Sequence, residues 1–161
     1  MGLDQYLHAK KYISKSAWNQ PTENEAYDKI AESIIPASLS LVMSETMDFQ
    51  SLEVSVKVMQ WRKSNQIHNW FVDNVQSGED DCKEYYVSRE NLADLLVKCI
   101  AVVADHSLAE ELLPSQDGFF YGSTEYDEYY FTDVQDTLNS LSRLLADPEL
   151  ERWDFSYTSS W

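Results

Sequence analysis

The stretch from Leu52 to Val58 constrains the fold most. Leu52, Val54, Val56 and Val58 alternate with Glu53, Ser55 and Lys57. A period of two places the apolar side chains on one face of an extended strand and the polar ones on the other. Such a strand carries unpaired backbone groups along both edges and needs partners, so the chain must build a sheet. A second, different period follows Ser88. Leu92, Leu95, Leu96, Cys99, Val102 and Val103 fall on one face of a helix that Ser88 is suited to cap. Strand and helix patterns mix without regular β-α-β alternation. The expected fold class is therefore α+β, a mostly antiparallel sheet with three to four helices packed on it.

The remaining segments fill in this outline. Leu3 to Ile13 is expected to be a strand and Ser14 to Pro21 a loop. Thr22 with Glu25 three residues on suggests a capping box, followed by Ala26, Tyr27, Ile30 and Ile34 at helical spacing until Pro36. A helix is expected from Trp61 to Gln76, stopped by Ser77-Gly78. Tyr85 to Val87 suits a short strand, and Pro114 closes the helical region after Ser88. Phe119 to Tyr121 and Tyr129 to Phe131 suggest two strands of a hairpin joined by Gly122 to Glu128. Thr132 and Gln135 suggest a second capping box, before Val134, Leu138, Leu141, Leu144 and Leu145, with Pro148 as the stop. The tail from Trp153 to Trp161 alternates weakly, as a terminal strand would.

At 161 residues, 43% of them hydrophobic, with four Gly and four Pro, the chain is expected to form a single globular domain over residues 1–161. Its charge is uneven. The formal net charge is −16, and the stretch from Cys99 to Trp161 holds 13 acids and two basic residues. Such a surface repels nucleic acid and anionic membranes and attracts basic partners. Ten Tyr and five Trp exceed what a core of this size requires and leave rings for a binding surface. Cys82 and Cys99 match neither a disulfide framework nor a metal-ligand spacing, and Cys99 sits where a small hydrophobe would. The N-terminal residues lack the pattern of a signal peptide, and no apolar run approaches the ~18 residues of a membrane span. A cytoplasmic protein is the expectation.

Two segments are rich in chemistry. On a helix, Trp61, Asn65, His68 and Val72 would share a stripe flanked by Arg62 and Gln66, with Lys63 a second cation beside Arg62. Cations beside Trp and His could hold an anionic or aromatic ligand such as a nucleotide. The plainer alternative makes Trp61 core and His68 a satisfied buried side chain. The second segment runs from Gly118 to Phe131 and interleaves Glu125, Asp127 and Glu128 with Tyr126, Tyr129 and Tyr130. Its carboxylates could dock on a basic protein, ligate a hard cation, or serve as an acid–base pair. Gly122 precedes the acids, whereas a calcium loop carries its glycine among them. There is no phosphate-cradling loop, nucleophile elbow or H-E-x-x-H, and the three histidines are far apart in sequence. No catalytic residue, metal ligand or cofactor is assigned from the residues.

Trp61-Arg62-Lys63-x-Asn65-x-Ile67-His68-x-Trp70-Phe71, taken with Gly118-Phe119-Phe120-x-Gly122-Ser123-Thr124-Glu125-Tyr126-Asp127-Glu128-Tyr129-Tyr130, resembles a family of small acidic proteins encoded by tailed bacteriophages and prophages. The resemblance transfers no catalytic or ligand residue. It implies a protein of the host cell cytoplasm that counteracts a host defence system. In the first such reading the chain binds and inhibits a basic nuclease or CRISPR-type effector through Glu125, Tyr126, Asp127, Glu128, Tyr129 and Tyr130. In the second, Trp61, Arg62, Lys63, Asn65 and His68 sequester a nucleotide-derived signal. A metal-dependent hydrolase using Glu125, Asp127 and Glu128 is the third.

Overall fold

The computed structural model describes residues 2–46 and 49–161. Its elements run β1 (Asp4–Ser16), α1 (Pro21–Ile34), α2 (Ala37–Thr46), β2 (Phe49–Arg62), α3 (Asn65–Asn74), β3 (Tyr85–Val87), α4 (Arg89–Ala104), α5 (Ala109–Leu112), α6 (Glu128–Ala146) and β4 (Asp154–Ser160). Short 3-10 turns occupy His106–Leu108 and Pro148–Arg152. The four strands form one antiparallel sheet in the order β2-β1-β4-β3, so the class is α+β, with helices packed on the sheet. The first and last strands lie side by side at its centre. β3 pairs with β4 in the register Tyr85 to Tyr157, Tyr86 to Ser156 and Val87 to Phe155. The chain divides into two compact units, Met1–Ala9 with Val56–Trp161, and Lys10–Ser55.

The larger unit holds the main core. Gln5, Leu7 and Ala9 are buried at alternate positions of β1, and Met59 and Trp61 do the same at the end of β2. On α4 the buried residues are Leu92, Leu95, Cys99 and Val102; on α6 they are Tyr130, Val134, Thr137, Leu141 and Leu144. Both sets step by three and four, which makes one narrow stripe per helix, and these stripes pack α4 against α6. The Arg89 guanidinium donates to the Leu145 and Leu150 carbonyls at 3.0 and 3.1 Å, which satisfies one acceptor at the end of α6 and one in the 3-10 turn that follows. Phe71 stacks on Tyr157 with ring centroids 3.9 Å apart and meets Trp70 edge-on at 5.1 Å. Cys99 is fully buried, which pushes its thiol up to about 12, so it packs as a small apolar side chain.

The smaller unit contains α1, α2 and residues 10–16 and 49–55 of the first two strands. The Lys15 ammonium donates to Asp28 at 2.6 Å, and Tyr12 stacks on Phe49. Asn24 accepts from the Ser16 backbone N–H and donates to the Ser16 carbonyl, tying α1 to the end of β1.

Several boundaries differ from the sequence expectation. β1 continues through Ser16, and α1 begins at Pro21, where Glu23 accepts from the Gln20 N–H. Proline fits the first helical position because its missing N–H would be unsatisfied there anyway. Trp61 and Arg62 belong to β2, not to the following helix. Their period of two continues from Met59, and Lys63, at φ 60°, turns the chain before α3 starts. The expected hairpin is absent from residues 119–131. Tyr121 N–H closes a turn onto the Gly118 carbonyl at 3.1 Å, and Tyr129 to Phe131 are the first turn of α6. Asp127 caps that helix, accepting from the Tyr129 and Tyr130 N–H groups at 3.0 Å each. Thr132 lies inside the helix, its hydroxyl donating to the Glu128 carbonyl. Strand propensity of the aromatic run yields to the stripe that begins at Tyr130. Among the described residues no helix is long and apolar enough to cross a membrane.

Removing the Phe71 ring leaves a cavity between Trp70 and Tyr157. Phe71→Ala is expected to cost about 3–5 kcal/mol. Urea denaturation should show a lower midpoint with an unchanged slope.

Candidate functional site

The junction between β2 and α3 organises the chemistry of the larger unit. Trp61 faces the core, and its indole N–H donates to the Thr137 hydroxyl at 2.8 Å. Ser64 stands at the N-cap of α3, where its carbonyl accepts from the His68 N–H, while its hydroxyl donates to Asp133. Most of α3 is buried, including its polar Asn65, Gln66 and His68. Each buried polar group then needs a partner, and most have one. Asn65 donates to the Tyr121 and Ser123 carbonyls and accepts from the Gln116 N–H at 3.0 Å, which pins the segment from 116 to 123.

His68 bridges two further groups. Its Nδ1 lies 2.8 Å from the Tyr157 hydroxyl and its Nε2 3.1 Å from Asp80. The Tyr157 hydroxyl donates to Gln5, whose amide donates to the Ser64 carbonyl. Asp80 also accepts from the Tyr121 hydroxyl and from the Trp161 indole N–H at 3.0 Å. Burial pushes the Asp80 carboxyl up, but hydrogen bonds from Tyr121, His68 and Trp161 outweigh it and hold the group below its ordinary value. Burial and the Asp80 charge raise Tyr121 and Tyr157, keeping both as protonated donors. Every strong hydrogen-bonding group here has a protein partner, so the network is structural.

Beside the junction opens a cleft of about 320 Å³. Arg62, Lys63 and Gln66 line it from one side of the sequence. Gly122, Ser123, Glu125 and Asp127 come from the loop before α6, and Tyr129, Tyr130 and Asp133 from α6 itself. Gly122 sits at φ +93°, and a Cβ there would come 3.1 Å from that of Lys63, so glycine permits this close approach. Burial pushes the Asp133 carboxyl up, with the Asp136 and Asp127 charges adding to the rise and Ser64 opposing it. Gln66 is 3% exposed. Its amide nitrogen is near enough to Asp133 to damp that rise, yet it meets hydrogen-bond geometry with no group.

The structure thus divides the Trp61–His68 set. Arg62 and Lys63 reach the cleft, whereas Trp61, Asn65 and His68 turn inward to internal partners. Of the acidic and aromatic set, Glu125, Tyr126, Asp127, Glu128 and Tyr129 are exposed. Tyr130 is not a surface residue: it is 4% exposed, and its hydroxyl donates to the Leu113 carbonyl at 2.7 Å. Asp133 was not singled out by the sequence, because nothing in spacing marks a side chain that meets Ser64, 69 residues back in the chain; Gln66 entered only as a flank of the Trp61–His68 stripe. Among the described residues, no group of three His, Cys, Asp or Glu side chains could hold a metal ion, and Asp127 already accepts two backbone N–H groups.

The exposed side chains of the C-terminal stretch are largely acidic and aromatic. Of the 13 acids between Cys99 and Trp161, all but Asp133 are exposed. None of them has a salt-bridge partner among the described residues. Phe119 is 94% and Tyr129 83% exposed in the same stretch of sequence. A side chain at Gly118 would collide with the Tyr121 ring at 2.6 Å, so the turn presenting Phe119 requires a residue without one. Comparison with protein-family models, curated proteins and solved structures returned no match.

The Asp80 network predicts a pH response of fixed sign. A carboxyl held below its ordinary value of 3.8 stabilises the fold above that pH, and the contribution is lost as pH falls through the depressed value. Asp80→Asn should lower the melting temperature at neutral pH, since its amide donors face those of His68, Tyr121 and Trp161. The acid limb of stability against pH should become shallower in the variant. It should not vanish, because Lys83 also lowers Asp81 and Ser107 lowers Asp105.

Proposed function

We propose that this chain is a binding protein that docks on a basic protein through the acidic and aromatic surface around residues 117–129. The observation that carries the reading is the combination of 12 exposed, unpaired acids in the C-terminal stretch with Phe119 and Tyr129 standing out among them. Anions that are not neutralised within the molecule project a negative field, which steers a basic partner and speeds association. Charge alone gives little affinity once salt screens it. Large exposed rings supply what charge lacks, since buried Tyr and Trp anchors dominate interface energies. Asp117, Glu125 and Glu128 would then form a polar rim around Phe119 and Tyr129.

The resemblance to small acidic phage proteins narrows the partner to a host defence factor that itself binds nucleic acid. Lysines and arginines shaped to contact phosphates would meet carboxylates in their place, and the chain would inhibit by occupying that groove. This is a cytoplasmic role that calls on no cofactor and no catalysis. The nucleotide reading loses Trp61, Asn65 and His68 to internal bonds.

Affinity capture from a bacterial lysate, with mass spectrometry, tests the reading when three columns are compared. The wild-type chain should retain a basic nucleic-acid-binding protein at low salt and release it as salt rises. Phe119→Ala with Tyr129→Ala should lose at least about 2 kcal/mol of binding, with the far-ultraviolet spectrum unchanged. Retention that is insensitive to salt and to both substitutions would reject the proposal.

A further inference from the structure

We infer that the cleft framed by Phe119, Phe120, Tyr121 and Trp161, with Asp117 at its rim, is an aromatic cage for an alkylated ammonium group. It shares Phe119 and Asp117 with the docking surface proposed above, but its chemistry does not depend on a protein partner.

The first observation is what lines the cleft. This second cleft of the larger unit holds about 230 Å³, and four aromatic side chains border it. The Phe119 and Phe120 rings stand perpendicular with centroids 4.7 Å apart. Those of Tyr121 and Trp161 are inclined at 66° with centroids 6.5 Å apart. A cation within about 6 Å of a ring centroid is drawn to the negative face of the ring, and rings set at angles around one space act on it together. The volume lies below the roughly 300–1,000 Å³ of pockets that take whole small molecules, so a head group fits and a nucleotide does not.

The second observation is that the rings are held in place by the fold. Asp80 accepts from the Trp161 indole N–H at 3.0 Å and from the Tyr121 hydroxyl, so one carboxylate orients both. The turn that carries Phe119 is closed by the Tyr121 N–H on the Gly118 carbonyl, and the Leu3 N–H donates to the Phe120 carbonyl, each at 3.1 Å. Phe119 is nevertheless 94% and Trp161 44% exposed. Walls fixed in advance lose little entropy on binding, and apolar surface held open in this way is the mark of a recognition site.

The third observation concerns charge and donors. Asp117 is exposed beside the rings and has no ion-pair partner among the described residues. The stretch from Cys99 to Trp161 holds 13 acids against two basic residues, so an anion is repelled and a neutral group gains nothing from the field. The Gly118 and Phe120 carbonyls are engaged, and both Asp80 oxygens are taken by His68, Tyr121 and Trp161. A primary ammonium has three N–H groups to satisfy once it sheds water, and Asp117 alone does not replace that shell. A quaternary ammonium has no N–H to satisfy. It needs only ring faces and negative charge, which are what this cleft supplies.

The test is a titration of the full-length, ¹⁵N-labelled chain, followed by nuclear magnetic resonance. The probes are choline and N-acetyl-trimethyllysine N-methylamide. Their controls are N-acetyl-lysine N-methylamide and dimethylbutanol, the neutral isostere of choline in which tert-butyl replaces trimethylammonium. Both methylated probes should shift the Trp161 indole N–H signal and the backbone amides of Phe119 and Phe120. Choline should bind at least about tenfold tighter than its neutral isostere. Asp117→Asn and Phe119→Leu, at exposed positions, should each weaken choline about threefold with the far-ultraviolet spectrum unchanged. Tighter binding of the trimethyllysine probe than of choline assigns the site to a protein side chain, and the reverse assigns it to a free amine. Equal binding of the neutral isostere, binding of unmethylated lysine as tight as its methylated form, or no shift at Trp161 overturns the inference. So does a choline affinity that neither substitution changes. Salt-sensitive capture of a basic protein without any ammonium response would sink the cage and leave the docking surface standing. An ammonium response with no protein captured would reject the docking surface alone.

Discussion

The larger unit depends on the burial of a polar helix. α3 enters the interior with Asn65, Gln66 and His68 as well as Ile67, Trp70, Phe71 and Val72, and this is tolerable only where other segments bring partners to it. Those partners come from far along the chain: Gln116, Tyr121 and Ser123 for Asn65, and Asp80 and Tyr157 for His68. Each bond is modest, but deleting one end strands the other in a dry environment. The network therefore does more to specify where the loops lie than to hold the fold together by sheer strength. It fixes the turn at 118–121 and the strand β4 against one helix. The exposed rings are presented by segments whose backbones are tied to that helix.

This arrangement sorts charge by position. Nearly all the acids of the C-terminal stretch are left outside without ion-pair partners among the described residues, while three cations of the same unit make contacts elsewhere. Lys83 pairs with Asp81, Lys98 approaches Asp94 at 3.9 Å, and Arg89 serves carbonyls at the end of α6 and in the turn after it. Isolated surface pairs of this kind contribute little stability. Mutual repulsion among the remaining anions costs stability, and the aromatic core built on Phe71 and Tyr157 offsets that cost. A protein selected only for stability has no reason to keep a dozen exposed acids without ion-pair partners in one stretch of sequence with exposed Phe119 and Tyr129.

Much of the fold was legible wherever a single period ran for long enough. The Leu52–Val58 alternation, the Ser88 cap and the stripe along α4 all identified their elements, because those signals are local. Trp61 was misplaced because Arg62 to Phe71 fits a helical stripe so well. The break lies at Lys63, whose left-handed backbone has no spacing signature, and glycine is the usual marker there. The aromatic run at 129–131 looked like strand, since Tyr and Phe favour strands, but Asp127 was a capping residue hidden among other acids. The cleft was half legible. Arg62, Lys63, Glu125, Asp127 and Tyr129 had been picked out in two separate groups, but the idea that they face one another depends on tertiary contacts.

Two carboxylates that flank the same helix show how structure and site can be told apart. Asp80 accepts from His68, Tyr121 and Trp161 and is held below its ordinary value despite burial. Asp133 accepts from Ser64, feels two neighbouring anions, and is pushed above it. Both are acids at the edge of a core, and the difference lies in the supply of donors. A carboxylate saturated by its own protein has finished its role when the chain folds. One that is partly buried beside two further anions, with only Ser64 and Gln66 against it, keeps a charge that its own protein compensates poorly.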